Sequence, residues 1–225
     1  MIAQNQVRQL SILLTFCAGF CDAATFFSGK SIFSAHITSN FIVFVYDLLN
    51  NAPLTGFIKL LPLPLFIVGS VIGGKIYSKT ANANNLLIVE SLALLVAGIL
   101  SLVFDMIDFN ASWGLYVTVF FVVFAMSLQS AYGKLFAAST YGPTTAMTNN
   151  VTQLSIDFEK IVEHKGAINW RHFKKQGILV LGFLTGAAIG GVMANEIALT
   201  SVIIPAVIIL YTYIYLEYIL INIYF

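Results

Sequence analysis

The sequence predicts an all-α integral membrane protein with about six transmembrane helices and two short or re-entrant helices, arranged as two inverted-topology repeats. Three observations support this: an apolar composition, six long apolar stretches, and motifs that recur along the chain. Of the 225 residues, 59% are hydrophobic and 9% are charged, whereas a soluble domain carries about 25% charged residues. The mean hydropathy is +0.89. Because apolar residues extend along the whole length, we expect a single polytopic membrane domain over residues 1–225.

Six apolar segments are long enough to cross the hydrocarbon core, which requires about 20 residues per helix. They cover approximately residues 9–27, 57–77, 86–104, 113–133, 176–194 and 198–222. Two further segments, 34–51 and 143–161, begin with hydroxyl and amide side chains and continue as helices of moderate apolarity. We predict that these two are short or re-entrant, although full crossing is an open alternative.

Basic residues favour the six-span arrangement with both termini in the cytoplasm. In that arrangement, Lys30 and Lys59 are the only two of the 11 lysines and arginines that fall outside. If both ambiguous segments crossed fully, Lys75, Lys79 and Lys134 would move outside, against the positive-inside rule. The sequence therefore predicts that Lys79 and Lys134 lie on the cytoplasmic side.

Three short motifs occur in one order in the first half and recur in that order about 110 residues later. The first set is AGFCDA at 18–23, HITSN at 36–40 and GSVIGG at 69–74, and the second is MSLQSA at 126–131, AMTNN at 146–150 and GAAIGG at 186–191. They indicate one repeat over about 9–104 and another over about 113–222. Because each repeat holds three spans, an odd number, the second enters the membrane from the opposite side, as in many secondary transporters.

Polar residues of the recurring motifs form the candidate substrate site. They are Asp22, His36, Thr38, Asn40, Gln129, Thr148 and Asn150. In each half a polar cluster opens a short helix, and helix N-termini attract anions. If the two helix starts met at the repeat interface, they would bind a small polar or anionic solute near the bilayer midplane. The alternative is simple capping, since Ser, Thr and Asn are preferred N-caps.

Asp22 lies inside the first predicted span, where a carboxylate is costly and is therefore a functional candidate. It could carry a coupling proton, bind a cation or pair with His36, and the alternative is an interfacial position or a structural hydrogen bond. The equivalent position in the second half is Ser130, beside Gln129, so the site would be asymmetric. Glu90 lies one turn into its helix, near the predicted cytoplasmic end, and we interpret it as interfacial.

Glycines at intervals of four residues predict close helix packing, because small residues allow helix backbones to approach. The candidates are Gly69, Gly73, Gly74, Gly186, Gly190 and Gly191. Their contacts could join the two halves of one chain or the subunits of a homo-oligomer. A surface that slides during alternating access is the more specific hypothesis.

Several functions find no support in the sequence. The chain has no P-loop, no G-x-S-x-G and no H-E-x-x-H motif, so we expect no enzyme activity and no cofactor. Cys17 and Cys21, with Asp22 and His36, match no metal-ligand spacing, and we expect the cysteines to pack as small hydrophobic residues. The net charge of +1 gives no basic field for nucleic acid.

The motifs AGFCDA, HITSN and AMTNN resemble the YoaK-like bacterial membrane proteins of unknown function, which carry A-G-x-x-D-A, then H-x-T-G-N, then M-T-G-N. The matching residues are Ala18, Gly19, Asp22, Ala23, His36, Thr38, Asn40, Met147, Thr148 and Asn150. Ser39 and Asn149 stand where that family usually has glycine, which argues against a close backbone approach at both helix starts. The resemblance implies a bacterial inner-membrane protein and no established substrate.

Together these features favour a small permease, a secondary transporter of an unidentified small polar or anionic solute, with Asp22 as the candidate coupling group. The second hypothesis is a non-transporting membrane scaffold or sensor. In that case the glycines would serve oligomerisation, and the charged segment 157–175 would bind a partner. An intramembrane enzyme would rest on Asp22 and His36 alone.

Overall fold

The computed structural model describes residues 4–50, 54–107, 112–135, 144–145, 147–164 and 167–224. All regular secondary structure in these residues is helical. The α-helices are α1 Gln4–Ser28, α2 Ser39–Leu49, α3 Pro62–Thr80, α4 Asn84–Met106, α5 Ser112–Leu135, α6 Met147–His164, α7 Ala167–Ile197 and α8 Ile203–Tyr224. A 3₁₀ segment at Leu54–Leu60 leads into α3, and another at Ala198–Val202 joins α7 to α8.

Five stretches of helix in the described residues are long and apolar enough to cross a bilayer. They are Val7–Ser28, Gly56–Thr80, Asn84–Met106, Trp113–Leu135 and Trp170–Glu217. The last stretch, 48 residues long, covers most of α7 and α8. Many large apolar side chains on these helices are exposed, which is consistent with lipid contact. The all-helical fold is therefore confirmed, and the five apolar stretches support a multi-pass membrane protein, while the count of six spans stays a prediction.

Helices α2 and α6 occupy the two segments that the sequence leaves ambiguous. With 11 residues, α2 is about 16 Å long, roughly half of the ~30 Å hydrocarbon core. The 18 residues of α6 include Asp157, Glu159, Lys160 and Glu163, too many charges for a lipid-facing span. Two residues of the predicted polar segment, Pro143 and Ala146, lie outside the described residues.

The helices α1 and α7 pack against each other in parallel along most of their length. Gly186 faces the carbonyl of Phe16, and Gly190 faces the carbonyl of Phe20. A Cβ atom on either glycine would overlap backbone atoms of α1. Only glycine therefore permits this backbone approach, as expected for small residues at close helix crossings.

A second parallel contact joins α3 to α5. A Cβ on Gly69 would overlap the Ser127 hydroxyl, and one on Gly73 would lie 3.0 Å from the Cβ of Ala131. Thus each G-x-x-I-G-G motif faces the first helix of the other half of the chain. Helix α4 packs against α5 and α8, and it runs antiparallel to α8, with Gly98 against Ile203 and Asn84 bonded to Glu217.

Candidate functional site

The loop after α1 reverses the chain and returns toward the middle of that helix. The N–H of Gly29 donates to the carbonyl of Thr25, and that of Ser31 donates to the carbonyl of Phe26. Lys30 and Ser31 both have φ of 59°, a left-handed conformation in which non-glycine residues are uncommon. These two residues turn the backbone, so that the following non-helical segment runs back along α1.

Asp22 anchors the returning loop. Its Oδ1 accepts the backbone N–H of Ser34 at 2.8 Å and that of Ala35 at 2.7 Å, with the Ser34 hydroxyl and the His36 N–H both at 3.4 Å. Asp22 lies six residues before the end of α1, which corresponds to a depth of ~9 Å along the helix. Non-helical backbone at such a depth needs buried partners, and Asp22 supplies them.

The imidazole of His36 completes the arrangement around Asp22. Its Nδ1 lies 2.5 Å from Asp22 Oδ2, and its ring meets the edge of Phe183 on α7 with centroids 5.3 Å apart. The hydrogen bond to Asp22, aided by the charge of that carboxylate, raises the pKa of His36 above its ordinary 6.5, although partial burial opposes the increase. A protonated His36 would therefore persist to higher pH than a free histidine would.

The other two polar residues of the HITSN motif differ in their surroundings. Asn40 is buried, and its amide both donates to the Phe33 carbonyl at 2.9 Å and accepts the Phe33 N–H at 2.8 Å. Thr38 is exposed at the start of α2 and makes no side-chain capping bond. Asn40 therefore holds the loop, whereas capping does not account for Thr38.

The second half supports its own loop in a related way. On α5, the Gln129 amide donates to the Thr144 hydroxyl at 3.1 Å, and the hydroxyls of Ser130 and Thr145 are 2.8 Å apart. Gln129 also donates to the Leu14 carbonyl of α1 at 2.8 Å. Mid-helix polar groups of α5 thus hold the residues before α6, as Asp22 of α1 holds the residues before α2.

The segment that precedes α2 and the segment that precedes α6 line one cavity of about 660 Å³. Its walls are Ala35, His36, Ile37, Thr38, Phe66, Ser70, Gly74, Ser130, Ala131, Gly133, Lys134, Leu135, Thr144, Thr145, Met147, Thr148 and Asn149. The N-terminal ends of both α2 and α6 therefore open onto this space. Among the described residues that line it, none is an aspartate or a glutamate.

Three of the seven predicted substrate-binding residues line the cavity: His36, Thr38 and Thr148. The other four, Asp22, Asn40, Gln129 and Asn150, are buried and lie outside its lining. Three of these four hold backbone or loop hydroxyls, as described above. For Asn150, the Nδ2 atom lies 3.8 Å from Met147 Sδ.

Several lining residues were not among the predicted binding residues, including Ser70 and Lys134. Lys134 is one helical turn after Ser130, so the two share a face of α5. The four-residue spacing from Ser130 could have indicated that Lys134 lines the cavity, whereas Lys134 is used above only to predict topology. Ser70 follows Gly69 in the first glycine motif and carries no separate signal. Within that motif, a Cβ on Gly74 would meet nothing within 4 Å, so Gly74 borders the cavity and does not join the close helix contact.

The interpretation of Glu90 as an interfacial residue requires correction. Its side chain is 0% exposed, and neither carboxylate oxygen has a hydrogen-bond partner among the described residues. A position one turn into a helix predicts an interfacial depth, but here neighbouring helices enclose the side chain on all sides. Glu90 therefore belongs to the interior of the bundle.

Comparison with known proteins gives one family. The family model described as a protein of unknown function, DUF1275, matches residues 10–215. The chain belongs to the DUF1275 family. No curated protein and no solved structure matches the chain. The DUF1275 match includes both loop anchors and all segments that line the cavity, so these features lie within the family domain.

Proposed function

We propose that this DUF1275 protein is a small secondary transporter that binds a small anionic solute in the cavity between its two polar helix starts. The observation that carries the proposal is the convergence of residues 35–38, 144–145 and 147–149 on one cavity. These segments are distant in sequence, and each is held in place by polar side chains of the preceding long helix. Such an arrangement of irregular backbone at depth is typical of transporter binding sites.

The charge of the lining favours an anion. Lys134 contributes a cation, and His36, whose pKa is raised by Asp22, contributes a second positive charge when protonated. The starts of α2 and α6 add the partial positive charge of helix N-termini. A volume of about 660 Å³ lies within the ~300–1,000 Å³ range of small-molecule sites.

Helix directions support inverted-topology repeats as part of this proposal. The two G-x-x-I-G-G helices pack reciprocally, α3 on α5 and α7 on α1, and both pairs are parallel. Gln129, six residues before the end of α5, reaches Leu14, seven residues after the start of the first apolar stretch. Gly29, just after α1, lies against Val119 near the start of α5. Together the two contacts make the first helices of the two halves antiparallel, as an inverted repeat with three spans per half requires.

The finer assignments made from sequence belong to the same proposal. We place the chain among YoaK-like proteins of the bacterial inner membrane, with both termini in the cytoplasm. The support is that Asp22 and Asn40, from two separate motifs of that resemblance, hold one loop together. Because both residues bond to backbone of the same loop, the two motifs have a physical reason to occur together. The same proposal includes a homo-oligomer that forms through the exposed apolar helix faces.

Uptake measurements in proteoliposomes would test the transport function. Purified protein would be screened with small carboxylate, phosphate and sulfate-type anions under an imposed pH gradient, against protein-free vesicles. We expect Lys134→Gln and Thr148→Ala to lower uptake, and Lys79→Gln and Thr185→Ala to leave it unchanged. Both controls lie away from the cavity, and the Thr185 hydroxyl donates to carbonyls of its own helix. Uptake equal to that of empty vesicles would reject transport of these anions.

The scaffold or sensor alternative draws on α6. This helix packs mainly against α7, and Val151, Ile156, Phe158 and Val162 leave large apolar side chains exposed. An amphipathic helix of this kind can lie at a membrane surface or bind a partner. A stoichiometric partner that is lost with Phe158→Ser and Val162→Ser, in protein that transports none of the screened anions, would favour the alternative.

A further inference from the structure

Glu90 is a buried acidic residue that does not line the cavity described above. It lies on α4, which packs against α5, α8 and the 3₁₀ segment Ala198–Val202. The residue is 0% exposed, and both carboxylate oxygens lack a hydrogen-bond partner among the described residues. Asp22 is also buried but has donors on both oxygens, and the buried Asp157 of α6 accepts a hydrogen bond from Gln153 on Oδ1.

Among the described residues, the titratable groups that interact electrostatically with Glu90 carry no positive charge. The titratable groups within electrostatic range are the thiols of Cys17 and Cys21 on α1 and the hydroxyl of Tyr132 on α5. From α8 the charged group that faces α4 is Glu217, which is also acidic and whose Oε1 accepts from Asn82 at 3.1 Å and Asn84 at 3.2 Å. The ion pairs His36–Asp22 and Lys59–Asp47 do not include Glu90.

An ionised carboxylate without a counter-charge or donors is strongly disfavoured in an apolar interior. A neutral carboxylic acid of the same shape avoids most of that cost. Ionisable groups inside membrane proteins accordingly mark proton or ion pathways. The enclosure of Glu90 thus suits a group that holds a proton in this conformation and loses it when water or a cation gains access.

We propose that Glu90 is a proton-binding site, and that its protonation couples solute transport to the proton gradient. The coupling role rests on the transport function proposed above, whereas proton binding does not. In the step itself, the O–H bond of the neutral acid breaks, the proton passes to water, and the carboxylate remains. Reprotonation takes a proton from the aqueous phase of the other side.

The position of Tyr132 gives a path between Glu90 and the cavity. Tyr132 is buried on α5 and is flanked in sequence by Ala131 and Gly133, which both line the cavity. The interior around Glu90 and the cavity wall are therefore separated by a single helix. A small movement of α5 would open the interior around Glu90 to the cavity, as alternating access requires.

Infrared spectroscopy of the protein in lipid tests proton binding directly. A neutral carboxylic acid has a C=O stretching band separate from that of carboxylates. We expect this band at neutral pH in the natural protein, its loss in Glu90→Gln, and its retention in Glu196→Gln, which alters an exposed carboxyl group. Absence of the band in the natural protein, or its persistence in Glu90→Gln, would overturn the proposal.

A second measurement needs no variant that could fail to fold. An apolar carbodiimide, which reacts with protonated carboxyl groups, would be added to the natural protein in lipid and the modified peptides mapped by mass spectrometry. We expect labelling at Glu90 that declines as pH rises. Unlabelled Glu90 alongside labelled acidic residues elsewhere would contradict a protonated, reachable acid.

Transport assays distinguish failure of the coupling role of Glu90 from failure of the proposed transport function. In Glu90→Gln we expect solute exchange to continue while accumulation driven by the pH gradient falls at least about tenfold, equivalent to ~1.4 kcal/mol. Full accumulation in this variant would overturn coupling through Glu90. If the natural protein transports no anion, the proposed function fails, while the infrared band and the labelling still decide whether Glu90 binds a proton.

Discussion

The imidazole of His36 lies against the carboxylate of Asp22, with Nδ1 2.5 Å from Oδ2, although the two residues belong to different motifs. Between them, the chain leaves α1, reverses at Lys30 and Ser31, and returns to the same helix. Asp22 thus sets both the course of the loop and the orientation of a ring that lines the cavity. This relationship leads to the first two predictions.

Replacing Asp22 should destabilise the protein. Asp22→Ala leaves the buried N–H groups of Ser34 and Ala35 without an acceptor and His36 without its partner, which should cost about 2–4 kcal/mol. Asp22→Asn retains one oxygen acceptor and should cost less. Thermal unfolding in detergent would measure both, with Asp105→Ala as a control at an exposed position. Equal stability of Asp22→Ala and the control would show that Asp22 does not anchor the loop.

Stability should depend on pH through His36. Its pKa in the folded protein is raised by the hydrogen bond to Asp22, so the protonated form is favoured by folding. This contribution is fully present below the ordinary pKa of 6.5 and is lost as pH rises through the higher folded value. Thermal midpoints measured across that interval should fall with increasing pH in the natural protein, and His36→Gln should remove that part of the slope. Identical slopes would contradict the prediction.

The glycines should differ in their tolerance of a methyl group. Gly186→Ala places a Cβ into the Phe16 backbone, so α1 and α7 must separate, at a cost of about 1–3 kcal/mol. Gly74→Ala meets nothing within 4 Å and should leave the thermal midpoint unchanged. Because both substitutions add the same methyl group, the difference between their thermal midpoints reflects how much space surrounds each glycine. A fall in the midpoint for Gly74→Ala as large as that for Gly186→Ala would refute this account.

Lys134 should determine the affinity for an anion. Lys134→Gln removes a cation from the cavity wall and should raise the KM for uptake by about tenfold, the value of one charge-assisted hydrogen bond. Lys134→Arg keeps the charge and should preserve most of the affinity. Initial rates across solute concentrations in proteoliposomes would separate KM from kcat. A change confined to kcat, with an unaltered KM, would show that Lys134 does not contact the solute.

Accessibility mapping should test the orientation of the two halves. Cysteines introduced by Lys79→Cys and Lys174→Cys should react with an impermeant thiol reagent from one side of the membrane, and Lys30→Cys from the other. All three positions are exposed, whereas the natural Cys17 and Cys21 are buried and should not contribute signal. Reaction of Lys79→Cys from the same side as Lys30→Cys would exclude the proposed inverted repeats.

Parts of the candidate site could be recognised from the sequence because they recur. The polar clusters near 36–40 and 146–150 stand out in an apolar chain, and their recurrence indicates that they meet. The sequence does not indicate which of these polar residues bond to the loop backbone and which line the cavity. Asp22 and Asn40 bond to backbone of the loop, whereas Thr38 and Thr148 line the cavity. Polar residues two positions apart look alike in sequence, and only the path of the backbone separates them.

Lys134 and Glu90 show the same limit for charged residues. Each lies near the end of a long apolar helix, where sequence indicates a position at the membrane surface. Lys134 lines the cavity, and Glu90 is enclosed by neighbouring helices. Depth along one helix follows from residue number, but exposure depends on which helices surround it.

By itself, the sequence determined that this chain is a helical, multi-pass membrane protein with polar groups concentrated at two related places. Composition and segment length suffice for this, because lipid excludes unpaired backbone and most charges. The tertiary structure alone decided which polar groups hold backbone, which line the cavity and which carboxyl group stands without a partner. Those outcomes depend on contacts between helices far apart in sequence, such as α1 with α7, and no local pattern encodes them.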